Sequence, residues 1–238
     1  MKNASLITMA LNILVFGCAS HGGTASVGDE LHAGDPTDAH DAVVAVIHGE
    51  GDDATLCTGT AIGPYAVVTA RRCVGEGTLH VVVGDDARFG RWHDVESVLD
   101  GGALSVLVTR TSLDDAARVD FSDIEPDSEL TVVGVGISGP GGSEIGVRHR
   151  AQMRVAAVRE GSLWTRSDGG SLCYGDVGAA LIDAEGRLVG VAQPRDEGCT
   201  RTELVRWSLL SAEEAFVADA KDARPVDAPP VDHLPVGE

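Results

Sequence analysis

From residue 42 to residue 192 the sequence repeatedly sets a short apolar, β-branched run against a turn rich in glycine, aspartate or proline. The runs occupy 42–47, 57–62, 66–69, 79–83, 104–109, 130–136, 153–158, 179–182 and 188–192. Segments this short, closed off by turn residues, read as strands rather than helices. Their spacing predicts an all-β architecture of barrels or a sandwich. Thirty glycines, nine prolines and an aromatic share of only 4% agree with a loop-rich protein whose core is built from Val, Ala and Leu. Residues 183–187, DAEGR, form a tight hairpin signal in which Gly186 is free to take a positive φ. One helix is expected. Ser211 with Glu214 three residues on makes a capping box, and Leu210, Phe216, Val217 and Ala220 supply a buried stripe through about residue 221.

The ends of the chain have a different character. Lys2 precedes a twelve-residue apolar run, LITMALNILVFG at 6–17, too short to span a bilayer as a helix but suited to the core of an export signal. Residues 1–17 are therefore expected to be a signal peptide. The run ends in Val15, Phe16, Gly17 and Cys18, which resembles the lipobox of bacterial lipoproteins and implies lipidation of Cys18. Ala19 after the cysteine implies outer-membrane sorting by the same resemblance. Ordinary cleavage after Ser20, releasing a soluble protein, is the alternative. Residues 18–40 are small and polar and read as a flexible tether, 41–221 as the folded domain, and 222–238, with four prolines, as an extended tail.

Charge and cysteine count exclude several functions. With 18 basic against 37 acidic residues the net charge is −19, so most of the surface repels a polyanion and no nucleic acid is expected as a partner. The basic residues are scattered, with lysine only at positions 2 and 221, and offer no polybasic hold on a membrane; contact with one is expected only through lipid at Cys18. Setting Cys18 aside leaves Cys57, Cys73, Cys173 and Cys199, an even number in an exported chain, which permits three disulfide pairings. No C-x-x-C is present and no cysteine lies beside a histidine, so zinc is not expected. The acidic turn at 49–53, GEGDD, has oxygen ligands of the kind calcium takes, but a solvated acidic face is the simpler reading. No metal and no cofactor are expected. The eight histidines read as surface or loop residues, and Trp92, Trp164 and Trp207 as core or barrel-seam residues.

Five stretches carry a resemblance. Residues 57–63 read CTGTAIG and 66–73 AVVTARRC; 173–178 read CYGDVG, followed by Leu181; 188–191 read LVGV; and 130–155 contain VVGVGISGPGGSEIGVRHRAQMRV. In this order they resemble the trypsin-like, chymotrypsin-fold serine peptidases, particularly lean bacterial members: the C-G-G-x-L-I, V-L-T-A-A-H-C and C-x-G-D-S-G-G-P-L segments, the strand that follows, and the first strands of the second barrel. The resemblance covers about residues 31–220. It implies two antiparallel six-stranded β-barrels with a C-terminal helix, a cleft at their junction, and disulfides Cys57–Cys73 and Cys173–Cys199.

The departures from the family pattern are chemical. Such enzymes need a serine that attacks, a histidine that takes its proton and an aspartate that holds the histidine. Arg72 stands at the position matched to the histidine, and a guanidinium stays protonated and cannot be the base. Val177 stands at the position matched to the serine and has no heteroatom in its side chain. Ala103 stands at the position matched to the aspartate; Asp100, three residues earlier, is turned to the other face by strand alternation. Gly175 matches an oxyanion-hole residue, with turn geometry beside a disulfide as its plainer use. Gln193, Pro194 and Arg195 replace the peptide-pairing S-W-G, and Pro194 has no N–H to donate. Ser171 holds the specificity position, and the segment matching the family's freed N-terminus reads Leu31, His32, Ala33, Gly34 after Glu30. Asp176 is retained, with Arg72 as one candidate partner.

The expected function is therefore an exported, catalytically inactive homologue of these proteases, acting as a protein-binding or scaffolding module for a partner that the sequence does not name. Two alternatives stand beside it. One is an active serine-type hydrolase using other residues, for instance Ser171 or Ser167 with a remote histidine. The other is a structural envelope lipoprotein.

Overall fold

In a computed structural model the chain is described at residues 35–37, 39–138, 144–167, 172–193 and 204–228. Seven strands precede residue 110: β1 (Asp35–Pro36), β2 (Val43–His48), β3 (Thr55–Ala61), β4 (Ala66–Ala70), β5 (Leu79–Val83), β6 (Arg91–Asp100) and β7 (Leu104–Thr109). Six follow: β8 (Glu129–Gly134), β9 (His149–Arg159), β10 (Ser162–Ser167), β11 (Ala180–Ile182), β12 (Leu188–Ala192) and β13 (Val205–Leu209), and then the helix α1 (Glu214–Ala220). All strand pairing within the sheets is antiparallel. The first barrel closes in the order β2-β3-β4-β7-β6-β5. The second closes because β8 pairs with both β9 and β11, completing the ring β8-β9-β10-β13-β12-β11, with β1 added outside on β9.

Strand alternation explains how two barrels share one seam. On β4, Val67 points into the first barrel with Val44, Val46 and Leu107, while Ala66, Val68 and Ala70 point out to the seam. On β7, Leu104 and Val106 join that seam; from the second barrel Ala180, Ile182, Leu188 and Val191 meet them. Leu181 points the opposite way, into the second core around Trp207, Met153, Val155 and Leu163. Strands at the seam are thus buried on both faces, and for that reason they stand out in the sequence as unbroken apolar runs. Trp207 is fully buried and donates its indole N–H to Thr165 Oγ1 at 2.8 Å. Trp92, by contrast, is 53% exposed on β6 and belongs to neither core nor seam, a departure from the sequence expectation.

The hairpin at 183–187 forms: the Asp183 N–H donates to Arg187 O at 3.0 Å, and Gly186 has φ +74. The helix forms without its expected capping box. Leu210–Glu213 is a 3-10 turn, α1 starts only at Glu214, and no side chain caps it. Glu213 is engaged elsewhere, accepting the N–H groups of Gly102 (2.9 Å) and Ala103 (2.7 Å), which ties the end of the chain to the β6–β7 turn. Leu210, Val217 and Ala220 pack into the seam as the sequence stripe anticipates. Beyond the helix, the Val226 N–H donates to Glu96 Oε1 at 2.8 Å, and Arg224 lies over the ring of Tyr65. At the other end Asp35 and Pro36 already pair with β9, ahead of Asp41.

Cys57 and Cys73 are joined across 16 positions of sequence. Cys173 is also disulfide-bonded, while Cys199, the partner that the resemblance implies, lies outside the described residues, as do Cys18, the 1–17 segment and residues 229–238. Disulfides persist in oxidising, extracytoplasmic compartments. Replacing both Cys57 and Cys73 by serine is expected to lower stability by about 3 kcal/mol through the freed loop entropy, read as a fall in the midpoint of chemical unfolding.

Candidate functional site

One residue joins the barrels at the future site. Thr58 on β3 donates its backbone N–H to Val177 O (2.8 Å) and its hydroxyl to Gly175 O (2.8 Å), and its Oγ1 accepts the N–H of Val135 (3.1 Å). Thr58 is itself fully buried, and its carbonyl accepts the Thr69 hydroxyl at 2.7 Å. The segment 172–179 is thereby held against the first barrel. Beside it opens a cleft of about 420 Å³, lined from the first barrel by Thr55, Leu56, Cys57 and Arg72 and from the second by Ile145, Leu172, Cys173, Tyr174, Gly175, Val177 and Gln193.

Of the positions matched to the family's catalytic and binding machinery, Arg72, Gly175, Val177 and Gln193 meet in this cleft, beside Cys57 and Cys173. Arg72 sits in the 3-10 turn Arg71–Cys73, anchored by the disulfide and by the Arg71 N–H to Ala103 O (3.0 Å). Its side chain is exposed and has no hydrogen-bond or ion-pair partner among the described residues. Val177 is half-buried and packs its methyls on the seam. Ala103 is not brought in: it opens β7 next to Arg71 and is absent from the described cleft lining. Asp100 is exposed at the end of β6 and accepts the Ser105 hydroxyl at 2.9 Å. Gln193 lines the cleft and still donates its N–H to Arg206 O at 3.0 Å, whereas Pro194, Arg195, Ser171 and the 31–34 segment lie outside the described residues. Of Ser167, only its backbone place in β10 is described.

Two backbone N–H groups of this segment are left without internal acceptors among the described residues. Tyr174 O accepts from the Ile137 N–H (2.7 Å), and Asp176 O from the Ala179 N–H (2.9 Å). Across a trans peptide the following N–H points the opposite way, and no peptide bond here is cis. The N–H groups of Gly175 and Val177 are thus turned away from those internal partners, and neither has a hydrogen-bond acceptor among the described residues. Gly175 reaches this geometry at φ +95, open to glycine at no steric cost.

Asp176 lies behind them, 2% exposed, and Arg72 is not its partner. Its Oδ1 accepts the Gly136 N–H and its Oδ2 the Cys173 N–H, both at 2.9 Å. Burial without a cation among the described residues pushes its carboxyl up to about 7, while the two backbone N–H bonds pull the other way.

Sequence reasoning missed one polar cluster. Ser138 and His149 are both buried; with Nδ1 donating to Val147 O (2.9 Å), His149 Nε2 accepts from Ser138 Oγ (3.0 Å) and lies 3.3 Å from Glu144 Oε2. His93 is buried too, its Nδ1 2.7 Å from Thr111 Oγ1 and its Nε2 accepting from Arg91, so two histidines depart from the expected surface placement. Nothing in the spacing of Ser138 and His149 announces their contact; the strand partners of β8 and β9 create it. Neither lines the cleft. Among the described residues no group of three or more His, Cys, Asp or Glu is placed to hold a metal ion.

The family model for trypsin matches residues 32–207. The chain belongs to the trypsin family. Solved structures share the trypsin fold at low identity. Two inactivated protease paralogues of the scabies mite are 18% and 17% identical with TM-scores of 0.68 and 0.69; each alignment covers 78% of this chain, and 97% and 95% of theirs. Human heparin binding protein is 18% identical with a TM-score of 0.68, over 82% of this chain and 99% of that one. Mouse neuropsin, a serine protease, is 15% identical with a TM-score of 0.66, over 77% and 96%. No curated protein matches the sequence.

Proposed function

We propose that this trypsin-family chain is a pseudoprotease of bacterial type, exported and held to the envelope by lipid at Cys18, whose inter-barrel cleft binds a protein instead of cutting it. The observation that carries the reading is the cleft itself: among its described lining residues there is no histidine, aspartate or glutamate, and Val177 and Arg72 stand at the positions matched to nucleophile and base. A permanent cation and a hydrocarbon cannot exchange a proton. Two of the neighbours are inactivated protease paralogues, which supports the view that the scaffold is kept for purposes other than hydrolysis. A net charge of −19 turns this chain away from the polyanion for which the human neighbour is named.

The Ser138–His149–Glu144 contact favours a rival, hydrolysis by non-standard residues. Ser138 is only 2% exposed, however, and lies off the cleft, so no substrate carbonyl reaches it. A fluorophosphonate probe followed by intact-mass measurement separates the two. Neither the native protein nor Val177→Ser is expected to gain the phosphonyl mass, because nucleophile and base act as a unit and restoring one regains almost nothing. Labelling of the native protein, at Ser138 or elsewhere, would establish the hydrolase instead. The same mass spectrum of membrane-extracted protein reads the acyl chains at Cys18.

A further inference from the structure

We infer that the cleft recognises the free C-terminal carboxylate of a peptide, one oxygen received by the N–H groups of Gly175 and Val177 and the other by the Arg72 guanidinium. The inference rests on the pseudoprotease reading and names what that site binds.

Three unpaired donors line one cleft, and no described acidic side chain lines it with them. Asp176 is directed away, its two oxygens occupied by Gly136 and Cys173 N–H groups. Backbone N–H groups fixed by internal bonds need no reorganisation to receive an oxyanion, and a guanidinium lining the same cleft favours a full negative charge over a carbonyl dipole. A mid-chain peptide carbonyl supplies one oxygen and no charge, so it satisfies the two N–H groups and leaves Arg72 unmatched. A carboxylate has two oxygens and a charge, and satisfies all three donors. Capture of a chain terminus by clustered backbone N–H groups is an established mode of peptide recognition.

The walls specify a peptide rather than a small anion. Leu56, Val177, Ile145 and Tyr174 surround the donors; Ile145 and Tyr174 are 47% and 64% exposed, large apolar surfaces that a bound chain would cover. Val177 stands at the position matched to the attacking serine, and a chain that ends there needs no such group. The overall charge of −19 repels polyanions over their length, but one carboxylate is held by donors in contact with it.

The test uses the mature protein and a panel of acetylated tetrapeptides, three alanines followed by each of the twenty amino acids, every one prepared as the free acid and as the C-terminal amide. Binding is followed by calorimetry and by the amide resonances of Gly175 and Val177 in isotope-labelled protein. At least one acid is expected to bind about tenfold tighter than its amide, as one charge-assisted contact predicts, and to shift both resonances. Arg72→Met should abolish the preference for acid over amide. Arg71→Gln, altering a neighbour whose guanidinium bonds Gly101 O at 3.2 Å and which does not line the cleft, should preserve it. The inference is overturned if no acid outbinds its amide, or if the preference survives Arg72→Met. Recovery of the peptides by mass reports separately on the parent reading: cleavage of an amide bond sinks the pseudoprotease proposal whichever way the acid preference falls.

Discussion

Gly178→Ala is expected to unfold the junction between the barrels and to remove several kcal/mol of stability. The Gly178 N–H donates to Ala192 O (3.0 Å), and its backbone holds φ +89, which L side chains rarely adopt; the strain alone costs about 1–2 kcal/mol. A methyl there would lie 2.0 Å from the Thr58 carbonyl oxygen and 2.5 Å from Thr69 Oγ1. Neither neighbour can move alone. Thr58 is tied to Val177, Gly175 and Val135, and Thr69 to Thr58, so relief of the clash breaks hydrogen bonds worth about 1 kcal/mol each on top of the overpacking. Together these reach on the order of 4 kcal/mol, a large share of the 5–15 kcal/mol typical of a whole domain. Gly186→Ala is the control: it has a similar φ of +74 with nothing within 4 Å of the added carbon, so strain alone acts and about 1 kcal/mol is expected. Urea unfolding of both variants reads the difference. Equal losses in the two would mean that the Thr58 contacts contribute nothing.

That seam also marks the limit of what the sequence reveals. β5, β7 and β12 fall at the expected residues; β7 and β12 are buried throughout, and apolar runs buried on both faces are unmistakable, while β5 is marked by its run of valines between turns. β6, β10 and β13 read poorly: β6 is mostly exposed or half-buried with no regular alternation, and β10 and β13 each mix a tryptophan with serine and arginine. These strands complete the barrels: β6 pairs with its sequence neighbours β5 and β7, whereas β10 and β13 pair with each other across the intervening β11 and β12. The site divides in the same manner. Gly175, Asp176 and Val177 are legible because a bracketing motif fixes their register, as Cys73 does for Arg72. Thr58 is not: its importance comes from Gly175, Val177 and Val135, all more than seventy positions away. The capping box failed for a related reason: Ser211 lies inside a 3-10 turn, the N-cap falls on Glu213 instead, and Glu213 is turned to two backbone N–H groups in the distant β6–β7 turn.

Asp176→Asn is expected to start below the native protein in acid, where it lacks one hydrogen bond, and to gain on it as the pH rises through neutrality. The folded carboxyl titrates at about 7 against 3.8 for an unhindered one, raised by burial. Below pH 3.8 it is protonated in both folded and unfolded chains and no penalty exists. As pH rises from there to 7 the unfolded carboxyl ionises freely and the buried one does not, so stability falls across that window. Above 7 the full penalty applies, and at about 1.4 kcal/mol per pH unit it is on the order of 4 kcal/mol. Asparagine carries no charge and keeps an oxygen for one of the two backbone N–H groups, but its amide NH2 cannot accept from the other, which costs about 1–3 kcal/mol at every pH. His40 and His93, whose pKa values burial lowers, add a slope of opposite sign, present in both proteins and cancelled in their difference. Urea unfolding of the pair from pH 4 to 8.5 should therefore give a constant offset at the acid end, the variant below, and a difference that moves in the variant's favour by on the order of 4 kcal/mol through neutrality. A difference that stays flat, or moves against asparagine as the pH rises, would show that a cation is seated on Asp176 in the folded protein, because a charge partner removes the pH-dependent penalty of a buried carboxylate.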